Sequence, residues 1–282
     1  MINIQSKQSQ FNKICKDIKS VKIQGAGNIA KAGLKAYSLI PTKSSIRKLS
    51  SLRPTEPMLF NTLALAEKYE VKRVLDYIKQ TDEEIAKEGS RLIKNNSRVF
   101  THCHSSSVVS ILKHSKKQGR KFEVFNTETR PLYQGRKTAM ELARAKIPVT
   151  TFVDSLAAIA LTKNKILKKS NFMLIGADAL LIKNHELKGV INKIGSNMFA
   201  EIAKDHKIPV YIACSSLKLT HKNLKIEKRP QKEVWNEKSR YINTINPAFE
   251  TIDPRFIKKI ICEFGIISPI RLINMAHKVW GF

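Results

Sequence analysis

Residues 97–130 read SRVFTHCHSSSVVSILKHSKKQGRKFEVFNTETR. This stretch decides the fold class because its period changes twice. Arg98–Thr101 and Phe122–Asn126 are short runs rich in β-branched and aromatic residues, as strands require. Between them, Ser106–Lys117 carries apolar residues at helical spacing. Two strands joined through a helix form a parallel pair, because a hairpin turn cannot make that connection. The alternation continues downstream. Further strands are predicted at Val149–Val153, Phe172–Ile175, Val210–Ala213 and Ile257–Cys262. Helices are predicted at Gly135–Lys146, Ser155–Leu161 and Ile194–Asp205, with a final one at Pro269–Val279. The pattern implies an α/β fold with a parallel sheet and helices on both faces.

Upstream, the sequence reads as helices with short breaks: Ser9–Ile18, Asn28–Tyr37, Thr55–Tyr69 and Val71–Asn95. Arg53-Pro54-Thr55 is a turn and helix start, since proline suits a first helical turn. The chain is therefore expected to divide into a helical part, residues 1–95, and an α/β part, residues 96–282.

The 282 residues are 42% hydrophobic, ample for a sizeable core. No apolar run approaches the ~20 residues of a membrane helix. Met1 to Gln10 is polar and lacks the apolar core of a secretory signal. A soluble, cytoplasmic protein without membrane contact is expected. Cys15, Cys103, Cys214 and Cys262 are scattered, which disfavours a disulfide framework and a structural zinc site. The net charge of +28 raises nucleic acid as a partner. The lysine clusters at Lys113–Lys121, Lys163–Lys169 and Lys218–Lys232 are not interleaved with base-stacking aromatics. A positive field equally concentrates an anionic metabolite.

Ligands of open α/β sheets sit at the carboxyl ends of the strands, so those positions carry the chemistry. The first strand runs into Thr101-His102-Cys103-His104-Ser105-Ser106-Ser107. A metal site is disfavoured, because in an extended segment the two histidines face away from the cysteine. Cys103 is either a buried small thiol or a thiol at a helix N-terminus, where the dipole favours thiolate. Ser105, Ser106 and Ser107 can offer hydroxyl and backbone N–H groups to a phosphate. Arg130, ahead of a proline, is presented from a loop and suits phosphate, or pairs with an acid such as Glu128. Asp154 reads as a helix N-cap. Asp178, in Gly176-Ala177-Asp178, is a turn residue or a shielded carboxyl able to act as a general acid. Beyond an exposed loop, Lys183–Lys188, the residues Asn192 and Lys193 fall at a helix start, a natural donor pair. Lys218 occupies a similar place after the fifth strand.

Gly25-Ala26-Gly27-Asn28-Ile29-Ala30 formally fits GxGxxA. A dinucleotide site needs a preceding strand and an acid ~20 residues later. Only Val21–Ile23 precedes it and no acid lies between Asn28 and Thr55, so no redox cofactor is expected. What remains is a glycine-rich helix start able to hold a phosphate.

Taken in order, QGAGNIA at 24–30, RPT at 53–55, THCHS at 101–105, TETRPLYQG at 127–135, IPVTTFVDS at 147–155, GAD at 176–178, INKIG at 191–195, NPAFE at 246–250 and FGIISP at 264–269 resemble one family. It contains ribose-1,5-bisphosphate isomerase, methylthioribose-1-phosphate isomerase and the regulatory subunits of translation initiation factor two-B. The resemblance implies a helical N-terminal domain followed by a Rossmann-like parallel-sheet domain, and homodimers or hexamers of dimers. It implies a proton-shuttling pair, Cys103 and Asp178, without metal or other cofactor. It assigns substrate contacts to Gly25, Ala26, Gly27, Arg53, Ser105, Ser106, Ser107, Asn192, Lys193 and Lys218. Cys103, Asp178 and Arg130 are retained here, whereas the regulatory subunits typically lose them. The GAG at 25–27 looks like the ribose-bisphosphate branch. Gln24 and Ser106 depart from that branch, which carries arginine and lysine there. The implied activity is isomerisation of a phosphorylated pentose. A translation-factor-like binding protein is the alternative, followed by methylthioribose-1-phosphate isomerisation.

Overall fold

The computed structural model describes residues 4–281 apart from residue 238, so Met1–Asn3 of the polar start lie outside the described residues. Five helices come first: α1 (Ile4–Lys19), α2 (Ala26–Leu39), α3 (Lys43–Leu52), α4 (Pro57–Lys68) and α5 (Val71–Ser90). Helix α3, missed in the sequence, is serine-rich, but Thr42 caps it by accepting from the Ser45 N–H. Helices α1 to α4 surround an apolar core that includes Phe11, Ile29, Leu34, Leu59 and Leu63, and that also takes in Leu217 from the second half.

The second half begins β1 (Ser97–Thr101), α6 (Ser106–Lys117), β2 (Phe122–Thr127), α7 (Gln134–Arg144), β3 (Val149–Phe152), α8 (Ala158–Leu161) and β4 (Phe172–Ile175). It continues β5 (Ala179–Lys183), β6 (Glu186–Lys193), α9 (Ser196–Asp205), β7 (Val210–Ala213), β8 (Leu219–Thr220), β9 (Phe249–Ile252), β10 (Ile257–Cys262), β11 (Gly265–Ile267) and α10 (Pro269–Trp280). The main sheet has the order β11-β10-β7-β4-β1-β2-β3, parallel except for the β10–β11 hairpin. All six sequence-predicted strands are in it.

Both faces of the sheet centre are covered, so a central strand such as β4 is apolar on both sides. Met173 and Ile175 of β4 join a core with Phe100, Phe199 of α9 and Leu272 of α10. Phe172 and Leu174 of the same strand point the other way, into a core with Ile85 of α5 and Ile111 and Leu112 of α6.

A second sheet, of order β8-β5-β6-β9, was not foreseen. The expected loop at Lys183–Lys188 is the tip of the antiparallel β5–β6 hairpin. Its turn residues Asn184 and His185 both have positive φ, as a two-residue hairpin turn requires, but Asn-His lacks the glycine that usually signals one. Asn192 and Lys193 consequently end strand β6 rather than start a helix, and helix α9 begins only after Gly195. Among the described residues, no helix is long and apolar enough to cross a membrane.

Candidate active site

A cavity opens where the carboxyl ends of β1 and β4 meet the start of α2 and the turn before α4. Each wall has a local cause. Gly25 takes φ +85° as the N-cap of α2, which turns Gly25, Ala26 and Gly27 onto the cavity. Gly176 ends β4 so close to α6 that an added Cβ would lie 2.6 Å from the Ser105 Oγ. Ser105 caps α6 by accepting from the Val108 N–H.

Between β1 and α6, Cys103 has φ +66°, so the extended alternation expected for His-Cys-His is broken there. Its N–H donates to Thr129 Oγ1 at 2.9 Å, and its carbonyl accepts from Thr138 Oγ1 at 2.9 Å. Thr129 is held in turn by Asp154, whose carboxylate accepts from the Thr129 N–H at 2.9 Å and the Arg130 N–H at 2.6 Å. Asp154 therefore anchors this loop and is not the expected helix N-cap. Buried His102 joins Thr127 Oγ1 at 2.5 Å to the Ile194 carbonyl at 2.9 Å, linking β1, β2 and the end of β6. Burial holds it near pKa 4, hence neutral. His104 pairs with Glu141 at 3.1 Å and is likewise held near 4 by burial and then by Lys137. No group of three metal-ligating side chains occurs among the described residues.

Cys103 and Asp178 line the same cavity. Burial pushes the thiol up to about 11, opposed first by Lys193. Of the two readings of Cys103, burial therefore favours the thiol as the resting form. Burial also raises the Asp178 carboxyl, against the pull of Lys218, Lys193 and Arg53. Lys218 is fixed in a short turn after β7, donating to the Ala177 carbonyl at 2.5 Å. Asn192 and Lys193 are buried on the wall, with the Asn192 amide donating to Ser196 Oγ at 3.1 Å.

Arg53, Ser105, Ser106, Asn192, Lys193 and Lys218 therefore meet around Cys103 and Asp178. Two expected contacts do not. Ser107 lies on α6 and does not line the cavity. Arg130 also stays outside it. Its guanidinium donates to the Tyr133 hydroxyl and to the Val234 carbonyl, because the loop turns it along the surface.

Four charged lining residues were missed: Glu56, Lys137, Glu227 and Arg229. Glu56 could have been found, since it lies three residues after Arg53 at a helix start. Glu227 and Arg229 come from an irregular segment without periodicity. Arg53 donates to Glu56 at 3.2 Å and pairs with Glu227 at 3.4 Å.

Residues 42–269 match the initiation factor 2 subunit family. The chain belongs to that family. A ribose 1,5-bisphosphate isomerase from Thermococcus kodakarensis is 30% identical, covering 95% of this chain and 94% of that protein. A methylthioribose-1-phosphate isomerase from Pelotomaculum thermopropionicum is 28% identical, covering 98% and 87%. Among solved structures, the Pyrococcus horikoshii translation initiation factor eIF-2B superposes with a TM-score of 0.80 at 22% identity, covering 94% of this chain and 98% of that one. Membership of the initiation factor 2 subunit family accounts for the architecture, with helices first and a parallel sheet second.

Proposed function

We propose that this protein is an aldose–ketose isomerase converting ribose 1,5-bisphosphate to ribulose 1,5-bisphosphate. The observation that carries the reading is the meeting of Cys103 and Asp178 in one cavity with Arg53, Lys193 and Lys218. The lysines and arginine suit phosphate oxygens. Burial raises the Asp178 carboxyl above its ordinary range, the direction that suits a general acid.

The reaction has three steps. Asp178 gives its proton to the ring oxygen as the bond between C1 and that oxygen breaks. Cys103, having first lost its thiol proton to solvent, takes the C2 proton as the thiolate, leaving a cis-enol with phosphate on its C1 oxygen. Cys103 then returns a proton to C1 while Asp178 takes one from the C2 hydroxyl, giving the C2 ketone and restoring both groups. Lys193, the main charge opposing burial of Cys103, lowers the cost of the thiolate.

The relatives named as isomerases support this reading. A second reading, a non-catalytic binding protein of the translation-factor type, is favoured by Gln24 and Ser106. Both line the cavity where the resemblance implies cations. A lost charge-assisted hydrogen bond costs ~1.5–3 kcal/mol, or ~10- to 100-fold in affinity. Ser106→Lys is accordingly expected to lower KM by about tenfold.

Phosphorus NMR of the purified protein with ribose 1,5-bisphosphate is expected to show the ketose, and a slower reaction with methylthioribose 1-phosphate. Binding of both sugars without turnover would favour the second reading. We also infer self-association through the open edge of β3, where Leu132, Met140, Val153 and Leu156 are exposed. Sedimentation at the monomer mass would oppose it.

A further inference from the structure

Glu56 has no role in the proton transfers above, yet it is among the most deeply buried charged side chains of the chain, at 2% exposure. It reaches the cavity from the turn before α4. Its Oε1 accepts from Arg53 Nη2 at 3.2 Å, and its Oε2 is buried with no hydrogen-bond partner. Arg53 is buried too, at 7%, and its Nε and Nη1 also lack partners. Three unsatisfied polar atoms at one spot of a cavity wall are destabilising if left so. Such a cost is offset when a ligand supplies the missing partners.

Resting on the sugar-phosphate reading of the cavity, we propose that Glu56 is a direct substrate contact, its Oε2 meeting an oxygen of the sugar while Arg53 Nε and Nη1 meet the neighbouring phosphate. The charges facing Glu56 decide its form. Arg53 on its own turn and Lys218 from the turn after β7 favour the carboxylate. Burial, Asp178 from the β4–β5 turn and Glu227 from the irregular segment oppose it, and burial dominates, pushing the carboxyl up to about 8. With Oε1 accepting from Arg53, the proton sits on Oε2, the oxygen left without a partner. Glu56 is then a neutral donor to a sugar oxygen. A carboxylate in the same place would repel the phosphate. Glu56 thereby selects a ligand that combines an acceptor oxygen with an adjacent phosphate.

The test is calorimetric binding of ribose 5-phosphate between pH 7 and 9.5 by the native protein, Glu56→Gln, Glu56→Ala and Asp178→Asn. In Glu56→Gln the amide oxygen keeps the Arg53 contact and the amide N–H replaces the acid proton. Its affinity at pH 7 is expected within about threefold of native, while Glu56→Ala loses about tenfold. Native affinity is expected to fall by up to about tenfold per pH unit above pH 8, as Glu56 ionises. The fall persists in Asp178→Asn, with its midpoint moved to lower pH because a charge opposing the Glu56 carboxylate is gone, and disappears in Glu56→Gln. Identical pH dependence in native and Glu56→Gln protein would overturn the contact, as would native affinity in a folded Glu56→Ala. If Glu56→Ala does not fold, the Gln comparison alone decides. No binding by the native protein at any pH would instead remove the sugar-phosphate reading on which the contact rests.

Discussion

At the scale of single residues, the site is governed by desolvation. Burial pushes the Cys103 thiol and the Asp178 and Glu56 carboxyls all upward, toward their protonated forms. For Glu56 this has a sign in stability. Its carboxyl rises from 4.5 in the unfolded chain to about 8 in the fold, so the folded state binds more protons between those values. Its favourable contribution is complete below pH 4.5 and is lost as pH rises through 8. Glu56→Gln, which cannot ionise, is expected to unfold at a higher temperature than native protein at pH 9. The two should differ little at pH 4.5, and thermal melts at both values check this. For Cys103 the neighbouring cation matters most. Lys193→Met is expected to move the pH midpoint of its alkylation by iodoacetamide further upward, read by mass spectrometry at that thiol, and to lower turnover by at least about tenfold. The residue types at Cys103, Asp178 and Lys218 were legible in the sequence because each lies in the connection leaving the carboxyl end of a strand. Arg130 was misplaced because a residue's presentation from a loop says nothing about the direction of its side chain.

At the scale of elements, the site depends on close approaches that only the packed fold reveals. The end of β4 touches the start of α6 through Gly176 and Ser105, with no room for a Cβ. Gly176→Ala is expected to push Ser105 and the Cys103 turn outward. The expected cost is about 1–3 kcal/mol of stability, measured by chemical denaturation, with a larger proportional loss of turnover. The six parallel strands were legible because each is a short run rich in β-branched, aromatic or other apolar residues between helical periods, most compactly where both faces are buried, as in β4. The second sheet was not. Its hairpin turns on Asn184 and His185 beside lysines, and β8 has two residues, too few to show a period. As a result, Asn192 and Lys193 were assigned to a helix start, although β6 carries them to the same cavity.

At the scale of the whole molecule, the cavity exists only where the N-terminal helices meet the sheet. Asn61 of α4 is one tie between them, donating to the Leu217 carbonyl at 2.8 Å and the Leu219 carbonyl at 2.9 Å. Those carbonyls flank Lys218, so the tie also positions a cavity cation. Asn61→Leu leaves both carbonyls without that donor and is expected to cost about 1–3 kcal/mol in denaturant unfolding. A further polar cluster joins α5, the turn after β7, the end of β10 and α10. In it Tyr77 donates to Glu263 at 3.0 Å, Ser216 to Glu263 at 2.6 Å and Trp280 to Ser216 at 3.1 Å. The order of helices then strands could be read along the chain, whereas these ties between distant segments have no local signature. The central claim is that this junction brings an acid, Asp178, and a base, Cys103, onto one sugar phosphate. The most direct measurement is turnover of ribose 1,5-bisphosphate by native protein, Cys103→Ser and Asp178→Asn, with binding of the sugar phosphate monitored in parallel. The account predicts binding in all three and turnover reduced by about 10²- to 10⁴-fold in each variant. Undiminished turnover in either variant would contradict it.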